Sequence, residues 1–137
     1  MKTVLCYGDS ITWGRNAVDG TRFPFAQRWP GVLQARLGDD HRIIEEGLGG
    51  RTTVFDSPLA PARNGRDYLL PCLWSHEPVD LVIIMLGTND SASRNWDAGK
   101  DHFVKDYEDL IDSYTSLATK PMVFLNTPPP ASDDNMF

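Results

Sequence analysis

Four short apolar runs divide this chain, and longer amphipathic or polar segments separate them. Each run is β-prone and too short for a typical helix, which predicts strands. The predicted strands cover residues 3–7, 42–46, 80–86 and 121–126. One helical pattern lies between the first and second strands, and another lies between the third and fourth. We therefore expect right-handed βαβ crossovers and a parallel sheet.

Two of the intervening segments have clear helical signals. Residues 29–37 carry a helical pattern with Pro30 near the first turn and Gly38 as the stop signal. Before the fourth strand, apolar side chains recur at spacings of three and four, with acidic and basic side chains on the other face. The apolar positions of this amphipathic helix are Phe103, Tyr107, Leu110, Tyr114 and Leu117.

Composition and charge exclude several classes of function. The length of 137 residues fits one domain, and the hydrophobic fraction of 41% is ordinary for a globular protein. A net charge of −6 without a basic cluster argues against nucleic acid and anionic membrane surfaces as partners. The apolar run after Lys2 is too short for a signal-peptide core or a membrane span. We therefore expect a cytoplasmic protein.

The two cysteines do not make a disulfide framework. Cys6 lies within the first strand and is expected to be a small buried hydrophobe. Cys72 falls in a short helix predicted near residues 66–75. Neither shows the histidine pairing of a thiol nucleophile or the spacing of a zinc ligand set, so no metal is expected.

A serine follows the first strand in a turn flanked by glycines, within Tyr7-Gly8-Asp9-Ser10. Gly8 is expected to take φ values closed to other residues and so to turn the chain sharply. Ligands of open α/β sheets bind in the crevice at the carboxyl ends of the strands. The Ser10 hydroxyl could therefore face a ligand beside free N–H groups. The alternative is an ordinary helix cap, since Asp and Ser both favour that position.

Two further blocks follow the second and third strands. Glu46–Thr53 and Leu86–Asp90 each place small or amide residues just past the carboxyl end of a predicted parallel strand. Both ends lie on the same side of the sheet as Ser10. Convergence of three blocks at one edge favours a ligand site over three unrelated caps.

Together the three blocks resemble those of the GDSL-type or SGNH hydrolases. Gly8-Asp9-Ser10 is similar to the first block, which implies that Ser10 is the nucleophile. Gly50 occupies the position that implies a backbone N–H donor to the oxyanion hole. Gly87-Thr88-Asn89-Asp90 is similar to the GxND block, which implies that the Asn89 side chain is another oxyanion donor.

The resemblance changes along the chain. Residues 1 to about 90 look closest to bacterial arylesterases and acyltransferases, and residues 89–130 look more like carbohydrate acetylesterases. It implies an α/β fold, a flavodoxin-like three-layer α/β/α domain over residues 1–137 that lacks a final strand and helix. It also implies a cofactor-free carboxylic ester hydrolase for short acyl groups, with acyl transfer to an alcohol left open.

Two more residues are assigned to substrate binding. Trp13 follows the nucleophile block and is predicted to line an acyl or aryl pocket, with simple core packing as the alternative. Asp9 is also assigned to substrate binding. The alternative is that Asp9, like Asp90, only braces its turn. The proline-rich residues 51–78 are interpreted as a wall of the acyl pocket or as a plain connector.

The family's fourth block, Asp-x-x-His, is not in this sequence. The three histidines, His41, His76 and His102, have no aspartate three residues before them. His41 and His76 are expected toward the amino-terminal edge of the sheet and His102 in solvent, so none is predicted to be the base. The alternative function is therefore a truncated or degenerate protein that binds esters without turnover.

The expected partners are few. The substrate is a small-molecule ester, and an unpaired edge at the fourth strand would favour a homo-oligomer. A flavodoxin-type nucleotide or flavin binder is disfavoured, because no Gly-x-Gly-x-x-Gly follows the first strand.

Overall fold

A four-stranded parallel sheet forms the centre of the protein in this computed structural model, which describes residues 1–56, 60–115 and 117–130. The spatial order of the strands is second, first, third, fourth, and every neighbouring pair is parallel. All four predicted strands and the α/β class are confirmed. The strands are β1 (Lys2–Gly8), β2 (His41–Gly47), β3 (Leu81–Met85) and β4 (Met122–Leu125).

Five α-helices and one short 3₁₀ helix (Phe25–Gln27) connect the strands within the described residues. Those predicted over residues 29–37 and 66–75 and along the amphipathic stripe are confirmed, whereas two short ones were not predicted. The helices are α1 (Ser10–Trp13), α2 (Trp29–Leu37), α3 (Gly65–His76), α4 (Ser93–Gly99) and α5 (Phe103–Thr115). None of them is long and apolar enough to cross a membrane.

The core lies between the central strands and the pair α3 and α5. Leu5 of β1 and Ile84 of β3 are fully buried, and Leu69 of α3 and Leu110 of α5 pack into the same cluster. The chain leaves β1 toward β2 on one side and later crosses to β3 on the other. Right-handed crossovers therefore place α2 on the opposite face from α3, which gives the three expected layers.

The register of the sheet aligns three strand ends. Gly8, the last residue of β1, pairs with Gly47 at the end of β2 and with Met85 at the end of β3. The segments that follow these strands consequently start at the same edge, with little offset along the strands. This alignment positions the candidate site.

Gly8 is required at that edge for a reason other than the predicted one. Its φ is not in the positive range, so the expected unusual turn conformation is wrong. A Cβ atom at Gly8 would instead lie 2.0 Å from Thr12 Oγ1 and 2.9 Å from the Met85 carbonyl oxygen. Only glycine lets α1 and β3 approach the strand this closely.

Candidate active site

Ser10 is the first residue of α1, directly after β1. Asp9 is the N-cap: its Oδ1 accepts a hydrogen bond from the Ile11 N–H at 2.9 Å. The residue that caps α1 is therefore Asp9 and not Ser10. The Ser10 hydroxyl makes no hydrogen bond to another residue in the described part of the chain, and its N–H lies in the first turn, where no intrahelical acceptor exists.

Asp9 itself is fully buried. Burial, chiefly, raises the pKa of its carboxyl above the ordinary 3.8, and the nearby Asp90 charge adds to the effect. Its Oδ2 has no hydrogen-bond partner among the residues described. A side chain without exposed surface that caps α1 fits the bracing interpretation better than the predicted contact with substrate.

Gly50 lies in a turn beside this helix. The turn is anchored where the Leu48 N–H donates to the Gly8 carbonyl at 3.1 Å. Gly50 has a φ of +77°, and a Cβ there would find its nearest neighbour at 3.6 Å. Glycine is thus needed at this position for its left-handed conformation. Among the described residues nothing accepts the Gly50 N–H, which leaves it available to a ligand.

Asn89 is held against the same turn. Its Nδ2 donates to the Arg51 carbonyl oxygen at 2.9 Å, and its own backbone carbonyl accepts a bond from Asn95 Nδ2 at 2.7 Å. A side-chain amide has two N–H donors, so one remains after the bond to Arg51. The structure thus brings Asn89 next to Gly50–Arg51, and its role as an oxyanion donor stays a prediction.

Arg51 is a structural residue of this edge that the sequence did not single out. Its Nη1 donates to the carbonyl oxygens of Gly8 at 3.0 Å and Glu46 at 2.5 Å, so it joins the ends of β1 and β2. The guanidinium lies between two aromatic rings, 4.2 Å from the centre of Tyr7 and 5.3 Å from that of Tyr68. The only sequence signal for it was its place in the block Glu46–Thr53 after the second strand.

Trp13 ends α1 and is partly buried. The Arg22 guanidinium lies 5.0 Å from the centre of the Trp13 ring, and Arg22 Nε donates to the Trp13 carbonyl at 2.8 Å. Arg22 and Arg28 both bind the carboxylate of Glu45. These contacts fix the position of Trp13, and its part in a substrate pocket stays a prediction.

A cavity of about 600 Å³ opens beside the end of β2. Most of its lining comes from residues 51–78, of which residues 57–59 lie outside the described chain. Neither Ser10 nor Trp13 is among its described lining residues. The lining consists of Glu46, Gly47, Leu48, Arg51, Asp56, Ala62, Asn64, Asp67 and Tyr68.

The histidines fall where expected with one exception. His41 opens β2 opposite Lys2, at the amino-terminal edge, and His102 is exposed. The expectation for His76 is wrong, since its Nε2 lies 2.8 Å from Oε1 of Glu46, the penultimate residue of β2. In the described chain no histidine is hydrogen bonded to the Ser10 hydroxyl.

One cysteine also differs from its prediction. Cys6 is buried in β1, as expected, but Cys72 has a histidine neighbour that was not expected. The donor atoms of Cys72, His76 and Glu46 all lie within 4.8 Å of one another. The spacing of four residues between Cys72 and His76 could have indicated a shared helix face, whereas the contact with Glu46 depends on tertiary packing.

Comparisons with known proteins agree on the family. The GDSL-like Lipase/Acylhydrolase family matches residues 6–136. An acetylxylan esterase of Xylanibacter ruminicola is 34% identical over 110 residues, which cover 79% of this chain and 21% of that protein.

Solved structures are similar over nearly the whole chain. A carbohydrate acetylesterase family member from Sinorhizobium meliloti is 41% identical, with a TM-score of 0.89 over 96% of this chain. The inhibitor-bound aryl esterase of M. smegmatis is also 41% identical, with a TM-score of 0.86 over 95% of this chain. The present sequence spans 65% of each of those chains. With 131 of its 137 positions inside the family match, the chain belongs to the GDSL-like lipase/acylhydrolase family.

Proposed function

We propose that this chain is part of a serine esterase that hydrolyses carboxylic esters with short acyl groups, acetyl above all. The observation that carries the proposal is the register of the sheet, in which Gly8 pairs with both Gly47 and Met85. Ser10, Gly50 and Asn89 follow these three aligned ends. The names of the relatives support an ester substrate, and two of them specify acetyl esters of carbohydrates.

The proposed reaction begins with attack of Ser10 Oγ on the ester carbonyl carbon. The carbonyl oxygen becomes an oxyanion, which accepts hydrogen bonds from the N–H groups of Ser10 and Gly50 and from the Asn89 amide. Collapse of the tetrahedral intermediate breaks the bond to the alcohol and leaves an acyl group on Ser10. Water then releases the acid. Attack by an acceptor alcohol instead of water gives acyl transfer.

The Ser10 hydroxyl must also lose its proton to a base. In the proposal that base is the histidine of an Asp-x-x-His segment, which the sequence given does not contain. Of the three histidines present, His41 lies at the amino-terminal edge of the sheet, His76 is bonded to Glu46, and His102 is exposed. The 137-residue form alone is therefore expected to retain binding and oxyanion stabilisation, worth a residual roughly 10³–10⁴-fold over water in a protease stripped of its triad.

The acyl pocket and the binding partners are part of the same proposal. The proposal keeps residues 51–78 as a wall of the acyl pocket; they supply most of the lining of the cavity beside β2, which does not include Ser10. A small ester is the proposed partner, with self-association through β4 as a second proposal. A cytoplasmic location stays a prediction of the sequence.

The test compares two forms on 4-nitrophenyl acetate. One is the 137-residue chain, and the other is extended by the Asp-x-x-His segment of a homologous esterase. The extended form should turn over at ordinary enzyme rates and lose this activity with Ser10→Ala, while the short form should be feeble. An inactive but folded extended form would support the alternative of a protein that binds esters without turnover. A short form of full, Ser10-dependent activity would show that its base is already present.

A further inference from the structure

A second cluster of reactive side chains lies apart from Ser10, where α3 packs on β2. His76 Nε2 and Glu46 Oε1 are 2.8 Å apart, and a donor atom of Cys72 lies within 4.8 Å of both. Cys72 and His76 are separated by four residues on α3, so they project from the same face. Glu46 reaches them from the facing strand.

The donor types fit a particular class of ion. A thiolate, an imidazole and a carboxylate are the three side-chain ligands that Zn²⁺ takes in proteins, whereas Mg²⁺ and Ca²⁺ take oxygen ligands alone. Zinc–ligand bonds of about 2.0–2.3 Å place neighbouring donors of one ion roughly 3–4 Å apart. The present separations of 2.8 Å and at most 4.8 Å bracket this value. Small side-chain rotations therefore suffice to surround an ion.

The cluster has an entry route. The Glu46 side chain keeps 20% of its surface exposed and that of His76 24%, and Glu46 also lines the 600 Å³ cavity. Cys72, in contrast, is completely buried on the core side. An ion could thus enter from the cavity, and water could occupy a fourth position on the same open side.

The surrounding charges are compatible with a cation. The Arg51 guanidinium beside the cluster is already bonded through its Nη1 to the carbonyl oxygens of Gly8 and Glu46. Two anionic ligands would neutralise the charge of a divalent ion.

We propose that Glu46, Cys72 and His76 bind one Zn²⁺ ion, with a water from the cavity as the fourth ligand. On binding, the Cys72 S–H bond breaks, its proton leaves to solvent, and the sulfur donates its electron pair to the metal. The ion would join α3 to the end of β2. None of its ligands forms or breaks a bond in the proposed reaction at Ser10.

Cobalt(II) provides the test, since it replaces zinc and gives visible spectra. Titration of the 137-residue protein with Co²⁺ should produce a thiolate-to-cobalt charge-transfer band and tetrahedral d–d bands that saturate at one equivalent. Added Zn²⁺ should remove both. Zn²⁺ should also raise the Tm of the wild-type protein.

Variants identify the ligands. Cys72→Ser should abolish the charge-transfer band, and Glu46→Gln and His76→Gln should each weaken Co²⁺ binding by more than the roughly 10–100-fold cost of losing an outer-shell partner. Cys6→Ser and His102→Gln, which remove a second buried cysteine and an exposed histidine, should leave binding unchanged. Because Glu46 and His76 are partly exposed, those two variants carry the test if Cys72→Ser does not fold.

Two kinds of result would overturn the proposed metal site. Absence of a charge-transfer band at excess Co²⁺ would show that the three residues form only a hydrogen-bonded cluster. A band that persists in Glu46→Gln and His76→Gln, or that vanishes in Cys6→Ser, would place the metal elsewhere.

Discussion

Asp90 binds Thr53 through both the backbone and the side chain of the threonine. Its carboxylate accepts the Thr53 N–H at 3.0 and 3.2 Å and the Thr53 hydroxyl at 2.6 Å, and both residues are buried. Thr53 lies three residues after Gly50, and Asp90 directly follows Asn89. This contact therefore ties together the two loops that carry the predicted oxyanion donors.

Thr53→Val should test the strength of that tie. The variant keeps the shape of the side chain but removes the hydroxyl donor, which leaves the buried Asp90 carboxylate with the backbone N–H alone. We expect a loss of about 1–3 kcal/mol in the free energy of unfolding, measured by urea denaturation.

Thr21→Val is a matched control. The Thr21 hydroxyl also donates to an aspartate, Asp19, at 2.7 Å, but the pair is exposed. Its removal should change stability by no more than about 0.5 kcal/mol. Equal losses in the two variants would contradict a special contribution from the buried pair.

Asn89→Ala should lower catalysis without unfolding the protein. The variant removes one proposed oxyanion donor, and comparable losses in other enzymes reduce kcat by roughly 10²–10³-fold. The measurement is steady-state hydrolysis of 4-nitrophenyl acetate by the extended form. Asn16→Ala, in an exposed turn, is the control and should retain full activity. An Asn89→Ala enzyme with unchanged kcat would remove Asn89 from the oxyanion hole.

Asp9→Asn should change the pH dependence of stability in a defined direction. The raised pKa of Asp9 means that, above pH 3.8, the folded protein holds a proton that the unfolded chain has released. The free energy of unfolding of the wild type therefore decreases as pH rises from 3.8 through the folded pKa. The asparagine variant has no ionisable group at position 9, so this decrease in the free energy of unfolding is absent, and asparagine can still cap α1. Its stability relative to wild type should increase with pH, as measured by urea denaturation at several pH values.

Asp19→Asn supplies a control of opposite sign. Hydrogen bonds from Thr21 lower the pKa of the exposed Asp19 carboxyl below 3.8. Its contribution to stability is present above that pH and is lost as pH falls through the folded pKa. The Asp19→Asn variant should thus lose relative stability with rising pH. The same trend in both variants would show that burial does not govern Asp9.

Phe124→Lys should reduce self-association of the 137-residue form. Among the described residues β4 is an edge strand of the sheet, and Met122 and Phe124 on it are 70% and 58% exposed. Apolar unpaired edges associate, and a lysine on such an edge opposes pairing. Static light scattering should give a lower mass at high concentration for the variant than for the wild type.

Val104→Lys is the corresponding control on a helix. Val104 is also 70% exposed, but it lies in the first turn of the helix α5 and not on the edge of the sheet. It should leave the association unchanged. A wild-type protein that is monomeric at high concentration would contradict the edge prediction itself.

The sequence was sufficient for the sheet because apolar runs that are buried on both faces are visible without tertiary information. Such runs located β1 and β3, and the parallel arrangement followed from the helical pattern between strands. The direction of the strands then placed Ser10, Gly50 and Asn89 at one edge. These inferences needed only local pattern and the rules of chain connection.

The errors concern distances between segments that are remote in sequence. Gly8 was recognised, but for the wrong physical reason, because its close approach to Thr12 exists only in the folded chain. The His76 ring was misplaced because its partner, Glu46, is 30 residues away along the chain. Backbone position alone does not tell how far a side chain reaches.

Because Asp9 caps α1, the Ser10 side chain is not needed as a helix cap, and it can be replaced with little effect on the fold. The two native thiols, Cys6 and Cys72, are both buried. A Ser10→Cys protein would therefore present one new, partly exposed thiol at the carboxyl-terminal edge of the sheet. The rate at which a thiol reagent labels it would report how accessible position 10 is in solution, and a spectroscopic probe attached there would report on the surroundings of the candidate site.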